Sequence, residues 1–426
     1  FITPPSWMFL SSYEDLRRQY IDDFFFDSLL HLSRGIFGAD FGSVATAVQK
    51  TRQQGRTGTY FRLIERTFQE FHARHLHDLF RRAMEDPDFR YDFSEYEKDG
   101  AIPETSDPEG QQLFHPNVDQ RDFEKIPGAP IAYWVPGAVI TAFEENPSLD
   151  KIGKPRQGLA TSDNKRFLRI WSEVDRKKLG IGYKSRSEAR ESNNKWFPYN
   201  KGGGYRKWYG NLDFVINWEN DGEEVIQYAA SLYKSASRTI KNTKYYFRKG
   251  ITWSFVSSGD FGVRYAPRGL IFDVGGSSLF PNEELIPFVA AFLNSRVAFY
   301  DLRVLNPTMN FQAGNLASLP FKVASGEQRS RIDELSEASI ELAKTDFDAR
   351  ETSWDFTQHP LIQQNAVSLE AAYDAWKAQA TDDFLQLHAN EEELNELFID
   401  LYGLQDELSP HVNLGDITIL EDELDG

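Results

Sequence analysis

The sequence predicts a multidomain α+β protein, and three features carry that prediction. Residues 1–50 read as a strand, a helix and two further strands. The stretch from about 126 to 325 is rich in short strands, and from Ser325 onward the pattern turns helical and acidic. At 426 residues the chain supports two to four domains, each with its own core. It is 40% hydrophobic and 26% charged, a globular balance, with no internal repeat and no low-complexity tract.

Each element follows from local pattern. Residues 1–10 (FITPPSWMFL) are apolar and aromatic, and Ser11, Ser12 and Glu14 then form a helix entry. Residues 29–32 and 44–48 read as short strands around turns at Gly35, Gly38 and Gly42. That order suits the end of an α/β sheet whose other strands lie off this chain. From 60 to 84, Phe61, Ile64, Phe68, Phe71, Leu79 and Phe80 recur at helical spacing, which predicts one long amphipathic helix. His72 and His75 share a face of it, with His77 nearby. No carboxylate completes a metal spacing, so a solvated polar face is expected there. Residues 86–120 are polar and rich in turn formers, a connector or variable insert.

A new domain begins near Ile126. Short runs at 212–218, 239–247, 251–256 and 269–274 read as strands, separated by turns such as Lys201-Gly-Gly-Gly, Asn220-Asp-Gly and Gly275-Gly276. Residues 283–305 read as a helix. Glu391 to Tyr402 form an amphipathic helix with Gly403 as its stop. The first residue is Phe, and the opening already has the character of a domain interior, so the chain reads as a piece of a longer protein.

Charge is the strongest functional signal. The chain is net −18, yet residues 151–250 hold 22 Lys/Arg against 10 Asp/Glu, which leaves the remainder at about −30. Aromatics are threaded through this basic island: Trp196, Phe197, Tyr199, Tyr205, Trp208, Tyr209, Trp218, Tyr245, Tyr246 and Phe247. Cations for phosphates, flat rings for bases and glycine turns for close approach are the requirements of a nucleic-acid surface. A solvated basic face over an aromatic core is the competing reading. Cysteine is absent, which removes disulfides, thiolate metal sites and Cys nucleophiles and suits a reducing cytoplasm. No apolar run approaches the ~18 residues of a membrane span, and the N-terminus has no secretory signal pattern. Phosphate-loop, zinc-protease and nucleophile-elbow motifs are missing. Asn306-Pro307-Thr308-Met309 departs from the Asn-Pro-Pro-Tyr motif of amino-methyltransferases at its last two positions.

Six stretches together carry a resemblance: residues 2–17 (ITPPSWMFLSSYEDLR), 155–169 (PRQGLATSDNKRFLR), 195–209 (KWFPYNKGGGYRKWY), 293–296 (LNSR), 305–312 (LNPTMNFQ) and 398–408 (FIDLYGLQDEL). As an ordered set they resemble the C-terminal half of the PglX-type adenine-specific DNA methyltransferases of BREX phage-defence systems, and related type IIG restriction–methylation enzymes. The resemblance implies an S-adenosylmethionine-dependent enzyme that flips adenine out of duplex DNA and methylates its exocyclic amine. The cofactor loop and Asn-Pro-Pro-Tyr motif of that family lie upstream of this chain, so the chain alone is expected to bind without catalysing. The resemblance further implies a division into 1–60, the last strands of a Rossmann-like catalytic sheet; 61–125, a helical connector with a variable insert; 126–325, the target-recognition domain; and 326–426, an acidic helical spacer.

Chemistry applied to the matched segments nominates DNA contacts. Arg156 and Gln157 reach base edges or phosphates, and Gly158 permits close backbone approach. Asn164, Lys165 and Arg166 offer donors at the next turn. Lys201, Gly202, Gly203, Tyr205 and Arg206 would form a phosphate-clamping loop. Lys241, Lys244, Arg248 and Lys249 make a second basic row, and Arg264, Asn310 and Gln312 complete the set. Arg to guanine and Asn or Gln to adenine would read sequence, each pair worth about 1–3 kcal/mol of discrimination. Trp7, Trp171 and Trp253 are expected in the core. Double-stranded DNA is the expected partner, with other defence proteins possible through the acidic surface. A protein-interaction module and a single-stranded nucleic-acid binder remain the competing functions, and a salt-adapted source would also account for the acidity.

Overall fold

The structure is a computed structural model. It describes residues 1–420 apart from 38–40, 52–54, 66–69, 97–100, 109, 257–260 and 308–309. The chain divides into two compact units, Phe1–Asn146 with Asp301–Thr308, and Pro147–Tyr300 with Met309–Gly426.

The first unit is built on a five-stranded mixed sheet in the order Ile2–Thr3, Ser43–Gln49, Phe25–Leu32, Gly58–Arg62, Phe114–Val118. Phe25–Leu32 and Gly58–Arg62 run parallel, and the other neighbours are antiparallel. Side chains alternate across the sheet. Tyr60 packs with Trp7, Phe26, Leu29 and Tyr133 on one face, while adjacent Phe61 packs with Leu76, Leu79 and Leu113 on the other. Buried Arg17, on the helix Glu14–Asp23, donates to the carbonyls of Trp7, Leu10, Gly128 and Ala129 at 2.6–3.1 Å. Gln120 likewise bonds the carbonyls of Ile21 and Phe24 and the Phe26 N–H. These two side chains satisfy buried backbone groups that no ladder reaches.

The single helix expected over 60–84 is instead the strand Gly58–Arg62 followed later by the helix Ala73–Glu85. Phe61 and Ile64 serve the sheet and its flanking cluster, Phe68 lies outside the described residues, and the helix starts where the His72 ring accepts the Arg74 N–H. His75 is not on a solvated face. It is buried, 3.1 Å from the Tyr91 hydroxyl and edge-on to Tyr96.

The second unit holds two four-stranded sheets. One has the order Ile271–Phe272, Trp196–Asn200, Phe214–Asn217, Leu168–Ile170; the other Val263–Ala266, Gly250–Trp253, Ser278–Pro281, Gly153–Arg156. Residues 239–247 are not a strand. They follow the 3₁₀ turn Ala236–Arg238 and contain a second, Thr243–Tyr245, with Asn242 and Phe247 at positive φ (56° and 66°), a geometry that no strand accommodates. The helix expected over 283–305 is broken at Ser295, where Glu283–Asn294 and Arg296–Leu305 meet at 69°. The Ser295 hydroxyl bonds the Phe292 carbonyl and accepts the Ala298 N–H, closing one helix and opening the next. Among the described residues no single helix is long and apolar enough to cross a membrane.

The C-terminal helices Gly326–Asp348 and Leu369–Tyr402 belong to this unit, and Gly403 ends the latter in the left-handed conformation expected of it. Phe288 and Phe292 of the helix Ile286–Asn294 form one ring cluster with Phe321 and with Phe398 and Tyr402 of Leu369–Tyr402. Trp7 and Trp253 are buried, as expected, while Trp171 is half-buried and donates to the Thr352 carbonyl.

Acid sensitivity follows from His31. Burial first, and Arg62 second, pull its imidazole down to about 3, so it is neutral in the fold while the unfolded chain titrates near 6.5. Its contribution to stability is complete above about pH 6.5 and is lost as pH falls toward 3, by about 1.4 kcal/mol per unit. Urea titrations between pH 6.5 and 4.5 should therefore show a shallower pH slope for His31→Leu by that amount; an unchanged slope would contradict the assignment.

Candidate nucleic-acid interface

Strand Gly153–Arg156 pairs with Ser278–Pro281 and brings Arg156 opposite Ser278. The 3₁₀ turn Thr243–Tyr245 lays the Tyr245 ring on Phe280, stacked at 5.0 Å and 25°. Three cations then surround that one ring. The Arg156 and Arg248 guanidinium carbons lie 5.6 Å from its centroid and Lys244 Nζ 5.3 Å away. Among the described residues, none of the three has a carboxylate within 4.0 Å. Arg156 Nε is buried without a hydrogen-bond partner. A ring face attracts each cation by about 0.5–1 kcal/mol at an exposed site, but it cannot neutralise three. Lys241, on the same segment, is exposed, while Lys249 is committed to Glu283 at 2.7 Å, which also holds Arg268.

The remaining nominated residues are dispersed in role. Gln157 is half-buried and its carbonyl accepts from Asn242. Gly158 is a correction: a Cβ there would sit 1.7 Å from the Phe272 carbonyl oxygen, so its close approach is to this chain's own backbone. Asn164 and Lys165 are exposed, with the Asn164 amide oxygen accepting from Thr161. Arg166 donates twice to one Glu224 oxygen, at 2.8 and 3.0 Å, and that pairing keeps the Glu224 carboxyl below its usual range.

The glycine loop is not an open clamp. Gly202 is buried at φ 86°, its N–H donates to Asn200, and a Cβ would meet the Gly275 carbonyl at 2.5 Å. Gly203 is exposed, Lys201 lies 4.8 Å over Phe214, and Tyr205 is half-buried. Arg206 turns inward to Phe347 and Asp346, the latter at 3.9 Å. Arg264 is 1% exposed and donates to the Arg206 carbonyl and Ser254; burial first and Arg206 second lower its guanidinium to about 10. It has no surface to offer a duplex. Asn310 and Gln312 are exposed, Gln312 preceding the helix Ala313–Ala317.

Of the ten island rings singled out from the sequence, Phe197, Tyr199, Trp208, Tyr209, Trp218, Tyr246 and Phe247 are buried, and Trp196, Tyr205 and Tyr245 are partly accessible. Lys207 is buried too. Its ammonium bonds Glu391 at 2.6 Å, and the second Glu391 oxygen accepts the Trp208 indole N–H at 2.7 Å. Burial pulls the Lys207 ammonium down, but Glu391, with Tyr205 and Asp416 adding to it, holds the group above its ordinary value. Sequence reasoning missed Tyr245 as an organiser, although Lys241, Lys244, Tyr245 and Arg248 stand close together, and it missed Glu391 entirely.

No protein-family model matches the chain. It is 37% identical over 432 residues to the adenine-specific methyltransferase PglX of Lacticaseibacillus casei (strain Zhang), covering 98% of this chain and 33% of that protein. It is 31% identical to the adenine-specific methyltransferase BrxX of Escherichia coli O9:H4 (strain HS), covering 96% and 30%. Among solved structures, the type IIL restriction–modification enzyme MmeI in complex with DNA matches with a TM-score of 0.51 at 12% identity, over 96% of this chain and 47% of that one. The architecture, several sheets with C-terminal helices, is thus of the mixed α/β multidomain kind found in restriction–modification enzymes. Within that class the chain is a homologue of the adenine-specific methyltransferases PglX and BrxX, and it spans about a third of the length of these curated relatives.

Removing the Glu391 carboxylate strands a buried ammonium. Glu391→Ala should cost roughly 3–5 kcal/mol in thermal unfolding, and Lys207→Met in that background should recover much of it. Additive losses in the double variant would show that the pair is not coupled.

Proposed function

We propose that this chain is the DNA target-recognition portion of a site-specific adenine methyltransferase acting in a phage-defence or restriction–modification system. The observation that carries the reading is the trio Arg156, Lys244 and Arg248 around Tyr245, three cations with no carboxylate of their own. Like charges gathered without counterions favour an anion, and a phosphate backbone supplies a row of them. Homology to enzymes named adenine-specific methyltransferases, and a fold like that of an enzyme solved on DNA, support the same reading.

In this account the five-stranded sheet of the first unit closes a catalytic sheet whose S-adenosylmethionine site lies in the rest of the protein. The strand-rich part of the second unit reads the target, and residues 326–426 serve as an acidic helical spacer. Adenine would be flipped to reach its exocyclic amine. The protein would work in the cytoplasm, and this chain alone would bind without methylating. Lys154, Lys165 and Lys241 are exposed too and would be free to meet further phosphates. Burial of Phe197, Tyr199, Trp208 and Tyr209, rings of the matched segment 195–209, disfavours single-strand stacking there.

Filter binding to duplex DNA across a salt series tests this. Neutralising about 5–8 phosphates gives a log–log slope of roughly −4.5 to −7, and replacing Arg156, Lys244 and Arg248 together by Ala should reduce its magnitude by about 2.7. Arg166→Ala, whose cation is already paired, should change the slope by less than any one of the three. A flat salt response in the unaltered chain, or preference for single strands of equal length, would sink the reading.

A further inference from the structure

We propose that a cavity among the C-terminal helices receives an arginine or lysine side chain from a protein partner. The cavity, of about 460 Å³, is lined by parts of Gly326–Asp348, the short helix Pro360–Gln363 and Leu369–Tyr402. That volume lies within the range of small-ligand sites. Five carboxylates reach it, Asp346, Asp348, Glu351, Asp355 and Asp383, against two cations, Lys344 and Arg350. Both cations are spent. Lys344 pairs with Asp348, and Arg350 with Asp346. Glu351, Asp355 and Asp383 have no cation within 4.0 Å among the described residues.

Two further observations point to a missing positive group. Asp346 is 7% exposed; its Oδ1 accepts from Arg350 and from the Leu420 N–H, but its Oδ2 accepts no hydrogen bond, and Arg206 stands off at 3.9 Å. Burial first and neighbouring Asp348 second raise the Asp355 carboxyl above its usual range, a penalty that an arriving cation would relieve. The wall also carries Trp376, with His359 at 5.9 Å and Tyr373 at 5.8 Å. The His359 ring is fixed because it accepts the Leu361 N–H. An indole face beside carboxylates is suited to a guanidinium or alkylammonium group.

The same chemistry could come from a free polyamine, but the surroundings favour a protein. Ile362, Val367 and Leu369, in the segment that supplies His359, are 72%, 103% and 78% exposed. Apolar surface of this kind is covered by a polypeptide and not by a polyamine. Residues 326–426 hold 25 Asp/Glu against 5 Lys/Arg, which complements a basic partner.

Calorimetry on the full chain at low salt, with a capped Leu-Arg-Leu tripeptide as the probe, tests this. The tripeptide should bind at least tenfold more tightly than its citrulline counterpart, which keeps the shape and removes the charge. Asp355→Asn and Trp376→Ala should each weaken it at least fivefold, while Asp406→Asn, exposed and outside the cavity, leaves it unchanged. Thermal melts of the variants establish that they fold; should either fail to, the arginine–citrulline comparison on the unaltered chain decides alone. Equal binding of the citrulline peptide, indifference to both substitutions, or tighter binding of spermidine than of the tripeptide would each overturn the proposal.

Discussion

The second unit depends on one buried carboxylate. Glu391 sits about two-thirds of the way along the 34-residue helix Leu369–Tyr402 and accepts from Lys207 and Trp208 together. Lys207 also donates its backbone N–H to Thr418. One acid therefore anchors the end of the glycine-rich segment to the acidic helices. A buried charge pair contributes little net stability, but losing one partner is expensive, so it specifies which surfaces meet. The consequence for function is positional. Arg206 and Arg264 are drawn inward with Lys207, whereas Arg156, Lys244 and Arg248 gather about Tyr245 without a carboxylate.

Seen this way, the basic island is two populations. One is structural: Arg166 on Glu224, Arg186 on Asp221, Lys195 on Glu219, Lys207 on Glu391 and Lys249 on Glu283 are each satisfied within the chain. The other is unsatisfied and ring-mounted. A cation held over an aromatic face keeps its donors free while losing side-chain freedom in advance, which lowers the entropic cost of gripping a polyanion. The C-terminal segment 326–426 carries the opposite charge, 25 Asp/Glu against 5 Lys/Arg, which repels nucleic acid and suits basic partners.

Much of this was legible in the sequence. The strands near 29–32 and 44–48 were readable because short apolar runs stand there around glycine turns, and the Gly403 stop because glycine marks a helix end. The stretch 60–84 misled because Phe61 and Ile64 are spaced like helix neighbours, although the sheet that uses them is closed by a strand some fifty residues on. At 239–247 the aromatic and β-branched content suggested a strand, and only the positive φ at Asn242 and Phe247 shows why the chain turns. Composition located the island, but not which cations face outward. That is decided by acids far away in sequence, 58 residues for Arg166 and 184 for Lys207. Such pairings leave no local trace.

Hydrogen-exchange mass spectrometry of the chain with and without duplex DNA tests the central claim most directly. Amides around Arg156 and through residues 241–249 should exchange more slowly on the duplex, while those of Leu369–Tyr402 should not change. Protection confined to the acidic helices, or none at 241–249 under conditions where DNA is bound, would contradict it.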